Sequence, residues 1–542
     1  MPPLGSLSLL LHAHLPFVRH PEHPDFLEED WLYEAITETY VPLVRMMERL
    51  DEDGVDFRLT LSITPPLCEM LADPLLQDRY VARLGTLVDV AQQQERERRG
   101  TPFEAAAAGV AQELRETHRL YVDSWRRDLL GVLRRFSESG RLELVGSAAT
   151  HAILPLLATD EGRWAQVAIG LANHERHFGV RPRGVWLPEC AFSPGLERTL
   201  ADAGVRWSTV EAHGLQLGSP RPRYGTARPV LTPSGVAFFG RDPESSKEVW
   251  STDEGYPGDP LYREFYRDLG WELPREKLGG LMHADGLRRA IGLKLHRVTG
   301  RVPLEDKEPY VPAWAAERAA FHAGAFVTRR QAQLRGLRQT LDVEPHVLAP
   351  YDAELFGHWW YEGPQFLEQV LRRVANPASG VRATTPGQLL DEAPVHQVAT
   401  PALSSWGDKG YFEVWVNSAN DWIYKHLHRA EERMIHLAER YPDAAGLQAR
   451  ALNQAARELL LAQSSDWAFI MTSRTTVPYA ERRTREHVAR FHALADGLDS
   501  IDAEVLAELE SRDSCFPELD YRVFHPGRVW SRGTGTAVAT SL

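Results

Sequence analysis

Gly184-Val185-Trp186-Leu187-Pro188-Glu189-Cys190-Ala191-Phe192-Ser193-Pro194 is an apolar, strand-like run that stops at a carboxylate. Pro194 then suits the first turn of a helix containing Leu196, Leu200 and Ala203. Glu189 is therefore expected where a strand gives way to a loop. In barrels of alternating strands and helices, catalytic side chains converge at the C-terminal ends of strands. Read alone, such a Glu ordinarily caps the next helix or pairs with an Arg, so its meaning depends on the other strand ends.

Working outward, the same rhythm recurs. Leu7 to Leu11 reads as a buried strand running into His12-Ala13-His14-Leu15-Pro16, and Trp31 to Leu50 has helical periodicity. Further strands are expected at Phe57 to Ile63, Leu142 to Val145, Arg206 to Val210 and His346 to Ala349, the last running into Tyr351-Asp352-Ala353-Glu354. This is the pattern of a parallel α/β barrel. From about Leu76 to Phe136 long helical patterns replace it. Between Pro220 and Pro260 lies an irregular, turn-rich segment with a hairpin around Thr232-Pro233-Ser234-Gly235, a candidate active-site lid. Beyond Pro386 only helical patterns follow, at Ala419 to Arg440, Leu447 to Leu461, Arg482 to Leu498 and Asp502 to Arg512. The expected organisation is a catalytic barrel over 1–75 and 137–400, a helical insertion over 76–136, a C-terminal helical domain over 401–526 that completes the active site, and a disordered tail over 527–542.

Composition narrows the partners. A net charge of −14 argues against nucleic acid or an anionic membrane, whose phosphates need clustered Lys and Arg. Cys68, Cys190 and Cys515 offer neither a disulfide framework nor a zinc spacing, which suits a reducing cytoplasm. The N-terminus lacks the pattern of a secretory signal, and no run is long enough to span a membrane. Fifteen Trp residues stand out, because aromatic faces stack on sugar rings as well as filling cores.

Three strand ends carry matching chemistry: His12 and His14, then Glu189, then Asp352. Two carboxylates facing one glycosidic bond are what glycoside cleavage needs, one as nucleophile and one as general acid. A His-x-His at a strand end can instead hold a metal, with His151, Asp352 and His358 as further ligands, so a metal-dependent hydrolase is the competing reading.

His12 to Pro16, Gly146 to Pro155, Trp186 to Phe192, Tyr351 to Trp359 and Trp406 to Trp422 resemble, in order, the five motifs of glycoside hydrolase family 57. The likeness extends over about Leu7 to Phe524 and is greatest to the family's 1,4-α-glucan branching enzymes. The resemblance implies a (β/α)7 barrel, no metal and no cofactor, and a retaining reaction on α-glucan with Glu189 as nucleophile and Asp352 as general acid/base. It also implies sugar contacts from His12, His14, His151, Trp31, Arg263, Trp271, Gly280, Trp406, Trp415 and Asp466. A cytoplasmic monomer or small homo-oligomer is expected. The family's branching enzymes use a tyrosine on a mobile loop, yet Leu231 to Trp250 contains none. That departure keeps an α-amylase or a 4-α-glucanotransferase in view, along with a glucan-binding protein lacking catalysis.

Overall fold

A computed structural model describes residues 3–251, 255–395 and 397–527. The expected disordered tail lies, apart from Gly527, outside the described residues.

Nine strands form one sheet: β1 (Gly5–Ala13), β2 (Leu59–Ile63), β3 (Leu142–Ser147), β4 (Gly184–Trp186), β5 (Trp207–Val210), β6 (Val230–Leu231), β7 (Ala237–Gly240), β8 (His346–Asp352) and β9 (Val381–Ala383). Seven of them run parallel in the order β7-β5-β4-β3-β2-β1-β8, which is the (β/α)7 barrel. β1 is buried at every position because it is covered on both faces, so it reads as a nearly continuous apolar run. Strand pairing does not close the ring. The free edge of β7 carries the antiparallel β6, and one main-chain bond, from Asp242 N–H to the Leu348 carbonyl at 2.9 Å, joins the end of β7 to β8.

The hairpin around Thr232 to Gly235 is present, but it belongs to the barrel wall, where a lid was expected. Its second strand is β7, a barrel strand, and Phe238 and Phe239 are buried in the wall. An apolar pair behind a tight turn looks the same in sequence whether it covers a site or completes a barrel. Pro194 likewise sits in a turn ahead of the helix Leu196–Asp202, whose N-terminal boundary is Gly195 at φ 107°.

Between β2 and β3 the chain forms the long helices Pro74–Glu97 and Glu104–His118. Beyond β9 and the short helix Pro386–Glu392, five more α-helices follow among the described residues: Tyr424–Arg440, Gly446–Ala462, Ser465–Ser473, Val477–Asp496 and Ala503–Arg512. The third was not expected from periodicity. It is short and apolar on most sides, so no polar stripe marks it. One continuous apolar core joins these helices to the barrel. No helix among the described residues is long and apolar enough to cross a membrane.

Candidate active site

The C-terminal ends of β1, β4 and β8 open into a cleft of about 490 Å³ lined by His12, His14, Trp31, Glu34, Glu189, Asp352, Glu354, His358, Trp359, Asp466 and Phe469 among others. That size suits a small-molecule or sugar site.

Glu189 is placed by a tight turn. Cys190 N–H bonds the Leu187 carbonyl at 2.8 Å, and Glu189 and Cys190 take φ of 59° and 51°, a left-handed conformation that side chains rarely adopt. His151, at the end of β3, does the same at φ 58°. Such conformations persist only where surrounding structure enforces them, and they cluster at functional sites. The enforcing structure here is the segment 404–406. Phe192 and Ser404 exchange two main-chain bonds of 2.9 and 3.1 Å, and Trp406 N–H reaches the Glu189 carbonyl at 2.9 Å. The Trp406 indole N–H then donates to Glu189 Oε2 at 2.5 Å. Arg241 lies over the Trp406 ring at 5.1 Å, and Trp186 meets that ring edge-on at 4.9 Å.

Asp352 ends β8, in register with His12 on β1. The two carboxyls differ in what surrounds them. Burial pushes Glu189 up to about 7, but the Trp406 N–H and nearby His14 favour its charged form. Burial raises Asp352 well above the usual carboxylate range, and the negative charges of Glu354 and Glu189 raise it further, with only Arg241 opposing. Of the pair, Glu189 therefore ionises first and Asp352 keeps its proton.

The histidines form a connected group. His12 faces Ser62 Oγ at 3.1 Å through Nδ1 and His151 Nε2 at 3.0 Å through Nε2. His151 Nδ1 meets Ser465 Oγ at 2.9 Å, and the His14 and His151 rings stack at 3.8 Å. His14 Nδ1 pairs with Thr64 Oγ1 at 2.9 Å and Nε2 with Asp466 at 3.0 Å. Burial keeps His12 and His151 neutral. Burial would lower His14 too, but Asp466 beside it raises it, while His14 in turn draws Asp466 down to about 2 against its own burial. His14, His151 and Asp466 bring ligand-type atoms within 4.8 Å of one another, a different set from the metal ligands expected from sequence, among which Asp466 was not counted. In this structure the ring nitrogens of all three histidines are engaged by protein groups.

Glu189, Asp352, His12, His14, His151, Trp31, Trp406 and Asp466 thus converge on one site. Four other expected sugar contacts lie elsewhere. Trp415 is 1% exposed and packs beneath Gly407, so it presents no ring face to the cleft. Arg263 lies over the Tyr361 ring at 3.5 Å and lines a neighbouring cavity with Glu34 and Glu38. Trp271 and Gly280 are exposed on the excursion between β7 and β8 and do not line the cleft. Motif position alone does not tell a buried support from a lining residue. No tyrosine lines the cleft among the described residues: Tyr224 is buried, and the Tyr256 hydroxyl donates to Glu248 at 2.9 Å.

Sequence reasoning missed Glu354, Glu34, Ser465 and Phe469. Glu354 Oε1 accepts from His14 N–H at 3.2 Å and from the Tyr40 hydroxyl at 2.5 Å, tying β1 to the turn after β8. Its place two residues after Asp352, and that of Ser465 immediately before Asp466, were the available signals.

Residues 8–404 match the family model of glycosyl hydrolase family 57, and residues 426–524 match a model described as 1,4-alpha-glucan branching enzyme, C-terminal. Thermococcus kodakarensis 1,4-alpha-glucan branching enzyme TK1436 is 35% identical over 94% of this chain and 77% of its own length. Among solved structures, the α-amylase AmyC of Thermotoga maritima is 43% identical with a TM-score of 0.90, covering 96% of this chain and 99% of its own. A branching enzyme from Pyrococcus horikoshii is 34% identical with a TM-score of 0.86, covering 96% and 97%.

Proposed function

Since the chain belongs to glycoside hydrolase family 57, we propose that it is a retaining 1,4-α-glucan branching enzyme. The observation that carries this is the pair Glu189 and Asp352, held at two strand ends, with the Trp406 N–H favouring the charged form of Glu189 and negative neighbours favouring the proton on Asp352. The match of residues 426–524 to the C-terminal part of branching enzymes supports the transfer outcome.

In this mechanism Asp352, protonated, gives its proton to the glycosidic oxygen of an α-1,4 link as the Glu189 carboxylate attacks the anomeric carbon. The leaving chain departs with that proton, and the donor chain is covalently held on Glu189. Asp352, now ionised, takes the proton of an incoming 6-hydroxyl, whose oxygen displaces Glu189 and completes an α-1,6 branch of retained configuration. The His14–Asp466 pair and the neutral His12 and His151 hold the hydroxyls of the sugar being cleaved.

Hydrolysis is the second reading, favoured by the 43% identity to an α-amylase and by a cleft without a tyrosine among the described residues. Incubating amylose with the protein, with and without EDTA, and counting α-1,6 links by proton NMR decides between them. New α-1,6 signal unaffected by EDTA is expected, with a loss of at least ~10³-fold in Glu189→Gln. Reducing ends without α-1,6 signal would sink the branching reading, and loss of activity on chelation would revive the metal hydrolase.

A further inference from the structure

Trp359 and Trp360 are neighbours in the turn that follows Asp352, yet they have opposite fates. Trp360 is 1% exposed and packs among Phe356, Phe366 and Tyr262, whereas Trp359 is 53% exposed and borders the cleft. The turn is rigid. Trp359 N–H bonds the Glu354 carbonyl at 3.1 Å, Gly357 N–H bonds the Trp360 carbonyl at 2.7 Å, and His358 Nδ1 meets Glu38 at 2.7 Å. Gly357, at φ 118°, lies so close to the Glu38 carbonyl that a Cβ there would fall 1.8 Å from it. The exposed ring is therefore held in place.

Trp359 is also backed. Phe265 stacks on it at 4.6 Å and 25°, the buried Lys294 ammonium lies 4.3 Å from the Phe265 centroid, and Tyr266, 69% exposed, stands edge-on to Phe265 at 5.1 Å. Contiguous exposed aromatic surface beside a cleft marks a binding surface rather than a core. Glu34 lines the same cleft, and its carboxylate makes no hydrogen bond or ion pair among the described residues.

Direction follows from the chemistry proposed above, on which this inference rests. The group that protonates the glycosidic oxygen lies on the leaving chain's side, and the acceptor enters by the path the leaving chain has vacated. Asp352 and Trp359 share one turn. We propose that Trp359, backed by Phe265 and Tyr266, is the stacking platform for the acceptor glucan chain, and that Glu34 binds one of its hydroxyls.

The test uses the full chain with α-maltosyl fluoride as donor and maltopentaose as acceptor. Fluoride release reports formation of the glycosyl-enzyme without needing a sugar on the acceptor side, and chromatography reports transfer against hydrolysis. In Trp359→Ala the acceptor concentration for half-maximal transfer rises roughly tenfold, a larger effect than on fluoride release, and Trp359→Phe recovers most of it. Tyr266→Ala, at an exposed position, gives a smaller shift in the same direction and serves if Trp359→Ala fails to fold. Unaltered acceptor dependence in these variants overturns the platform alone. Wild-type protein that releases fluoride but transfers nothing overturns the platform and the transferase reading together.

Discussion

At the scale of single residues, the two carboxyls are told apart by their neighbours. The Trp406 indole N–H favours the charged form of Glu189, while Asp352 has negative neighbours. Removing the donor in Trp406→Phe therefore raises the Glu189 pKa above about 7, so the nucleophile is ionised only at higher pH. The acid limb of the kcat/KM profile is expected to move to higher pH, with about a 10- to 100-fold loss near neutrality, since a hydrogen bond to a charged group is worth about 1.5–3 kcal/mol. An unmoved acid limb would remove Trp406 from the ionisation of Glu189. Glu189 and Asp352 were legible in the sequence because each ends an apolar run. Glu354 and Glu34 were not, since a carboxylate that acts through burial and neighbours looks like any other until the fold assembles them.

At the scale of elements, the helix Pro312–Thr340 secures the place where the barrel ring lacks strand pairing. Its fully buried Arg330 reaches Asp242 at 3.2 Å and Glu248 at 2.8 Å, and Gln333 donates to Asp242 at 2.7 Å. Asp242 is the residue whose N–H bridges to β8. Arg330→Ala takes the cation from buried Asp242, while Glu248 keeps Arg329 at 3.6 Å, and is expected to cost about 3–5 kcal/mol, read as a lower midpoint in denaturant with an unchanged slope. A midpoint within error of the wild type would show that the ring does not depend on this contact. The apolar spacing from Trp314 to Leu341 marks a long helix in the sequence. Its role is not so marked, because a lone Arg on a helix gives no sign of facing inward.

At the scale of the whole molecule, barrel and C-terminal helices share polar as well as apolar contacts. Buried Glu431, on the helix Tyr424–Arg440, accepts from Thr159 N–H at 2.8 Å at the start of a barrel helix and from Gln463 at 2.9 Å. Gln463 in turn accepts from Gln166 at 3.0 Å, and Gln166 holds Thr150, next to His151. Unfolding the helical portion alone would strand these groups, so calorimetry is expected to give one transition. Glu431→Ala should shift that transition down whole rather than split it. Two peaks, with activity lost at the first, would contradict this. The βα rhythm and the all-helical end were readable from hydrophobic spacing. That the two halves form one site was carried by side-chain pairs hundreds of residues apart, such as His14 with Asp466, which no local pattern records.

The incomplete ring has a consequence for how such a molecule can change over time. β7 and β8 are joined by one main-chain bond, and the described residues of the chain between them, 241–345, add no strand to the sheet. Insertions and deletions there leave the six paired junctions of the barrel untouched. Phe265 and Tyr266 belong to that excursion, whereas Glu189 and Asp352 sit on paired strand ends or next to them. Selection could thus reshape what the protein grips while its bond-breaking chemistry stays fixed, a separation that a fully hydrogen-bonded eight-strand ring would grant less freely.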